Sequence, residues 1–232
     1  ADRTALLSFG AINLGMMAMA KTVHLFARER SVVRKEQGRR KQYRAVEYLL
    51  SKVVAEIPLD TMFAALFTSV LKATTTLQIP WSKLTATMAL MTACGASLGF
   101  AVGGLAQDGD TAMTTALPLM VLFIVVGVIN PSGVDKTAPS PNVVVSLLKQ
   151  LSPIRWTIEA LLIGEFKGMK MNKQSKSLPK MGAFVMVKNG DQILDALGLL
   201  DEHKTYNNIM KRMSLLTVIN LFVSWIGLEY GK

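Results

Sequence analysis

Four stretches of this chain carry no charged side chain: Thr4–Ala20, Leu84–Gln107, Thr111–Val134 and Met213–Leu228. An uncharged apolar run of about 18 residues or more reads as a helix that crosses a bilayer, because in hydrocarbon the backbone must satisfy its own hydrogen bonds. Charged residues make up 18% of the chain, where a soluble domain carries about 25%. Mean hydropathy is positive, at +0.34. An ordinary water-soluble enzyme and a disordered chain are therefore excluded. So is a disulfide scaffold, since Cys94 stands alone. The expected fold class is all-α, a polytopic membrane protein with about five transmembrane helices.

The expected spans are 5–26, 48–77, 84–106, 111–130 and 213–228. The second is the least uniform, holding Lys52, Glu56, Pro58, Asp60 and Lys72. It reads as one helix with a kink at Pro58, where proline removes a hydrogen bond. Residues 27–47 carry Arg28, Arg30, Arg34, Lys35, Arg39, Arg40, Lys41 and Arg44 against three acids. Short basic loops stay on the side of synthesis, which places 27–47 and 107–110 inside and 78–83 outside. Residues 131–212 form an outer subdomain, since loops longer than about 60 residues escape the charge rule. Within it, 152–167 has helical spacing and 192–200 reads as a short amphipathic helix. An outside N-terminus leads to the expectation of a span upstream of Ala1. The net charge of +10 is explained by these loops and calls for no nucleic acid.

The chain offers little for catalysis. It has no GxxxxGK[ST] loop for a nucleotide phosphate, no metal-ligand spacing around His24 and His203, and no Ser/His/Asp set. No cofactor is expected in this chain. Residues Arg28–Gln42 are too basic to insert, and Val32, Val33 and Tyr43 supply one apolar face. This segment is expected to lie on the inner membrane surface and dock on a cytoplasmic partner. Glu56 and Asp60 are four apart and share a helix face, close to a structural salt bridge with the basic loop or to a functional intramembrane acid.

The basic segment also carries a family pattern: Arg28-Glu29-Arg30, then Arg34 and Glu36, Tyr43, Tyr48, Lys52 and Glu56-Ile57-Pro58. Further on stand Leu151-Ser-Pro-Ile-Arg-Trp and Gly164-Glu-Phe-Lys-Gly. The whole resembles the membrane domain of G-subfamily (White–Brown complex type) ABC transporters, nearest in flavour to plant and algal half-transporters. The family's first span and its ATPase domain have no counterpart here, and the external cysteines of its plasma-membrane members are missing. The family's Phe-Ser-Gly segment reads Val126-Gly127-Val128-Ile129.

The resemblance implies an ATP-driven exporter of lipids or hydrophobic small molecules, coupled to an ABC ATPase domain that holds ATP and Mg. It implies pairing with a second half-transporter, as homo- or heterodimer, in contact with membrane lipids. Arg28, Glu29, Arg30, Arg34 and Glu36 then belong to a coupling helix. Asn13, Met16, Met17, Phe123 and Val126 match cavity-lining positions, and Glu56 matches an intramembrane acid of a charge relay. An organelle membrane, the plastid's in particular, is implied, with the plasma membrane as the alternative. The alternative function is an ATPase-less structural subunit of a larger membrane complex. A single half has too few helices to enclose a lipid-sized cavity, so two are expected to meet about a two-fold axis. Small residues on the first and fourth segments (Gly10, Ala11, Gly15, Ala18, Gly127) suit close approach there, and Val128 and Ile129 are the expected gate.

Overall fold

The computed structural model describes residues 2–35, 44–106, 109–128, 143–167, 190, 194, 199 and 205–230. Over these the chain is helical: α1 (Asp2–Lys35), α2 (Ala45–Thr74), α3 (Trp81–Leu105), α4 (Gly109–Val128), α5 (Val143–Leu151), α6 (Pro153–Phe166) and α7 (Tyr206–Tyr230). Five are long and apolar enough to cross a membrane: Arg3–Phe26, Ala45–Thr74, Trp81–Leu105, Gly109–Gly127 and Tyr206–Glu229. The chain is an all-helical integral membrane protein. Of the expected helix at 192–200 only Leu194 and Leu199 are described, both buried, with the Leu199 N–H donating to the Leu194 carbonyl at 2.8 Å; the interruption at 170–180 and Gln37–Tyr43 lie outside the described residues.

The bundle is organised around α3. Every residue from Met91 to Ala101 is buried, which suits a helix apolar all round. It packs against α1 on one side, α7 on another and α2 on a third. Small residues make this possible. Gly95 and Gly99 lie four apart and face α1. A methyl group on Gly95 would stand 2.7 Å from the Gly15 carbonyl oxygen, and one on Gly99 2.9 Å from that of Met19. On the α7 side Gly104 meets the Ser224 carbonyl and Gly227 meets the Gly104 backbone. Without a hydrophobic force between helices in lipid, such close backbone approach supplies the van der Waals contact that holds them. Polar pairs add to it: Asn220 donates to Ser97 Oγ at 3.3 Å and Ser224 Oγ to the Phe100 carbonyl at 2.9 Å.

The outer helix α2 is different. Leu50, Val54, Met62, Phe63, Leu66 and Val70 are all exposed, forming an apolar face for lipid. It is one continuous helix across Pro58. Its first turn is capped by Glu47, whose carboxylate accepts from the Arg44 N–H at 3.0 Å.

Residues 28–35, expected to begin a separate surface helix, prolong α1 without a break. The reason is local: no glycine or proline stands between Phe26 and Lys35, and the first is Gly38. Val33 is buried and joins Phe26, Tyr48, Leu49 and Phe100 in a small second core.

Long-range contacts sort the connections into two ends. At one, the start of α1, the α2–α3 turn and the end of α6 meet around Glu165, and Tyr206 at the start of α7 lies 3.0 Å from Thr87. At the other, the Tyr48 hydroxyl donates to Glu29 at 2.8 Å and Phe26 rests against Tyr48 and Phe100 at 5.8 Å. The α2–α3 turn and the end of α6 thus sit at one end, and the later part of α1 with the start of α2 at the other.

The buried helix α6 supports the first end. Ser152 caps it, accepting from the Arg155 N–H at 3.4 Å while its hydroxyl donates to the Phe123 carbonyl on α4 at 3.2 Å, and Pro153 takes the first turn.

Candidate functional site

Helix α1 divides lengthwise. Leu7, Ala11, Ala18, Met19, Val23 and Phe26 are buried against the protomer's own core. Phe9 (67% exposed) and Met17 (71%) look outward, with Asn13, Ala20 and His24 also exposed. Helix α4, which packs beside α1, divides in the same way. Ala112, Ala116, Met120 and Phe123 face inward, and Leu117, Val121 and Val125 face outward. The outward face of α4 with Leu148 of α5 lines an open apolar groove of about 640 Å³ that includes Pro118 and Val126. The two helices thus present neighbouring unpartnered apolar strips.

The residues matched to a cavity are distributed over these surfaces. Asn13 and Met17 lie on the open strip of α1, and Val126 lines the groove on α4. Met16 is half-buried against the core, and Phe123 is buried within it. The small residues assigned above to a dimer axis need a correction. Gly15 is packed against Met91, Gly10 against Phe67, and Gly127 against Ile154 and Arg155, while Ala11 and Ala18 are buried. They serve contacts inside the protomer, because close approach of α1 to α3 and of α4 to α6 uses them up. Of the expected gate, Val128 ends α4 but its side chain, like Ile129, lies outside the described residues.

The charges near the second end form two clusters between α1 and α2. Lys21 on α1 reaches both Glu56, at 2.7 Å, and Asp60. So the two carboxylates that share a face of α2 pair with a span lysine, while most side chains of the basic loop lie outside the described residues. About two turns further along α1, Glu29 binds Lys52 at 2.6 Å and the Tyr48 hydroxyl. Both helices lean on α3, and these side chains bridge the space between them. Arg28, Arg30 and Arg34 lie in the last part of α1. Their side chains, and Glu36 altogether, lie outside the described residues.

Glu165 is a site that reading the sequence missed. Its side chain is fully buried, and its two oxygens accept from Arg3 at 2.7 Å, from the Gln78 N–H at 2.8 Å and from the Ile79 N–H at 2.9 Å. The Gly164-Glu-Phe string marked the position, but nothing local marked its partners. Arg155 and Glu159 pair at 2.9 Å along α6, as their four-residue spacing suggests. Among the described residues no cluster of His, Cys, Asp or Glu fits a metal ion. Among the described residues the arrangement is one of packing surfaces and ion pairs.

A membrane bundle of this kind has a family counterpart. The family model described as ABC-2 type transporter matches residues 1–166. The chain belongs to the ABC-2 type transporter family. Its curated relatives include ABC transporter G family member 7 of Arabidopsis thaliana, 32% identical over 199 residues, covering 84% of this chain and 26% of the relative. ABC transporter G family member 22 of the same plant is 30% identical over 131 residues, covering 54% of this chain and 17% of that protein. The chain spans about a quarter of the length of the first of these relatives and less of the second.

Proposed function

We propose that this domain is the transmembrane half of a G-subfamily ABC exporter that moves lipids or hydrophobic small molecules, powered by ATP and Mg bound in an ATPase domain. The observation that carries this reading is the family match across α1 to α6, together with the similarity to two G-family transporters. Two halves meet through the open strips of α1 and α4. Asn13, Met16, Met17 and Val126 then border an apolar path between the copies, with Phe123 supporting it from the core and Val128 and Ile129 closing it at one end. Methionine suits such a surface because its flexible thioether adapts to cargoes of different shape. Arg28, Glu29, Arg30, Arg34 and Glu36 receive the stroke of the ATPase domain. Because residues 28–35 continue α1, that stroke acts on a span directly. The Lys21–Glu56–Asp60 bridge passes it to α2, and the strips change from one access to the other. A plastid membrane is the proposed location.

The test is ATP-dependent transport of a lipophilic fluorescent probe by the full-length protein in proteoliposomes, with Arg30→Glu/Arg34→Glu as the coupling variant. Transport by the wild type, and ATP hydrolysis without transport in the variant, are the expected results. No ATP-dependent movement of lipophilic probes or lipids would reject the exporter. Copurification as a stoichiometric part of a larger complex would then favour the structural subunit.

A further inference from the structure

A second polar feature stands apart from the strips of α1 and α4. Between the end of α6 and the starts of α3 and α7 lies a cavity of about 400 Å³. Its charged lining is Lys83 at the start of α3, Lys167 at the cap of α6, and Glu165. Glu165 does not offset the lysines, because Arg3 and two backbone N–H groups already engage its carboxylate. Among the described residues neither lysine has a carboxylate partner. The Lys83 ammonium is placed over the Tyr206 ring at 5.5 Å from its centre. That ring is in turn fixed by its hydroxyl, which bonds Thr87 and the Lys83 carbonyl. The side-chain amide of Asn207 completes the polar wall. The result is a concave site with an excess of two positive charges.

The cavity's place at the start of two spans bears on the source of the anion. Spans α3 and α7 both begin at this cavity. Trp81, in the first turn of α3, is 49% exposed, and its indole N–H donates to Ser69 at 3.3 Å. An exposed tryptophan at the end of a span marks headgroup level. Lysines at that level attract anionic lipid, and Pro80 and Ile163 in the same wall offer apolar surface to the glycerol and first acyl carbons.

We propose that this cavity binds the phosphate group of an anionic membrane phospholipid, one with net negative charge, with Lys83 and Lys167 as its charge partners. The site needs no transport activity and stands whether or not the exporter reading does.

The experiment uses the full-length protein, purified from phosphatidylcholine vesicles containing 20 mol% phosphatidylglycerol (~20 mol%, a usual anionic fraction). Retained phospholipid is counted by mass spectrometry. Wild type is expected to enrich phosphatidylglycerol over phosphatidylcholine by about thirtyfold, from two lysines at the surface. Lys83→Gln/Lys167→Gln is expected to lose the enrichment. Lys83→Arg/Lys167→Arg should keep it, and so should Lys149→Gln/Lys211→Gln, which removes the same charge elsewhere. Equal retention of both lipids by the wild type overturns the proposal, whatever the variants do. Enrichment that survives the Lys83/Lys167 glutamine pair, or is lost equally with the Lys149/Lys211 pair, also overturns it. Displacement of the retained phosphatidylglycerol by millimolar inorganic phosphate would overturn the lipid assignment in favour of a soluble anion.

Discussion

Helix α1 is tied to the rest of the bundle by an ionic site near each end, and the two are built on different chemistry. At the first, Glu165 is fully buried and accepts from two backbone N–H groups as well as from Arg3. At the second, Lys21 is about one-third exposed and holds Glu56 and Asp60 by side-chain contacts alone. Among the described residues one Asp60 oxygen, Oδ2, has no hydrogen-bond partner. A carboxylate held by backbone cannot let go without undoing the turn that donates to it. One held by a lysine can be released by a change of rotamer. The first end therefore fixes the relation of α1, α6 and the α2–α3 turn, and the second allows α1 and α2 to shift.

Removing the fixed carboxylate is expected to cost most. Glu165→Ala leaves two N–H groups and the Arg3 guanidinium without their acceptor, and unfolding of the full-length protein in detergent should show a loss of about 3–5 kcal/mol. Wild-type stability in this variant would erase the distinction between the two ends. Lys21→Met comes next. It leaves Glu56 and Asp60 facing one another, for a loss of about 2 kcal/mol after allowing for solvent at the lysine. Adding Asp60→Asn in that background should restore part of it, and a double-mutant cycle reads the coupling directly. Arg3→Gln should cost less, about 1 kcal/mol, because Glu165 keeps its backbone donors. A loss as large as that of Glu165→Ala would mean that the arginine, not the backbone, holds this end. Lys52→Ala, at a half-exposed pair with Glu29, is expected to change stability by about 0.5 kcal/mol or less, and less still in high salt.

The same contrast separates what could be read in advance from what could not. Four of the five long apolar helices announced themselves as gaps in charge, since bilayer thickness fixes their length, while α2 carries Lys52, Glu56, Asp60 and Lys72 within its span. Glu56 and Asp60 were legible as a pair because four residues is one helical turn. Their partner was not, because Lys21 lies 39 positions from Asp60 and nothing in a helix says which neighbour it will face. Glu165 lay inside a noticed string, yet its role depends on Arg3, 162 residues away. The glycines and alanines of α1 were read as suited to close approach, which they are. The approach is to α3 within the protomer, because a small side chain permits contact without choosing the helix that makes it. The segment after Phe26 was read as helical and basic, but its continuity with α1 rests on the absence of a breaker before Gly38 together with the burial of Val33.

By itself, then, the sequence determined that this chain crosses a membrane as α-helices, where those helices lie, and through a string of local motifs which family it resembles. These follow from hydrogen-bond satisfaction in hydrocarbon and from the charge of short loops, which act over one segment at a time. Only the tertiary structure decided that α3 is the centre and that α1 and α4 keep open strips. It also decided that Lys21 joins the acids of α2 and that Glu165 binds three segments at one end. Each of these depends on which helix faces which, and that is settled by side-chain packing between residues far apart in the chain.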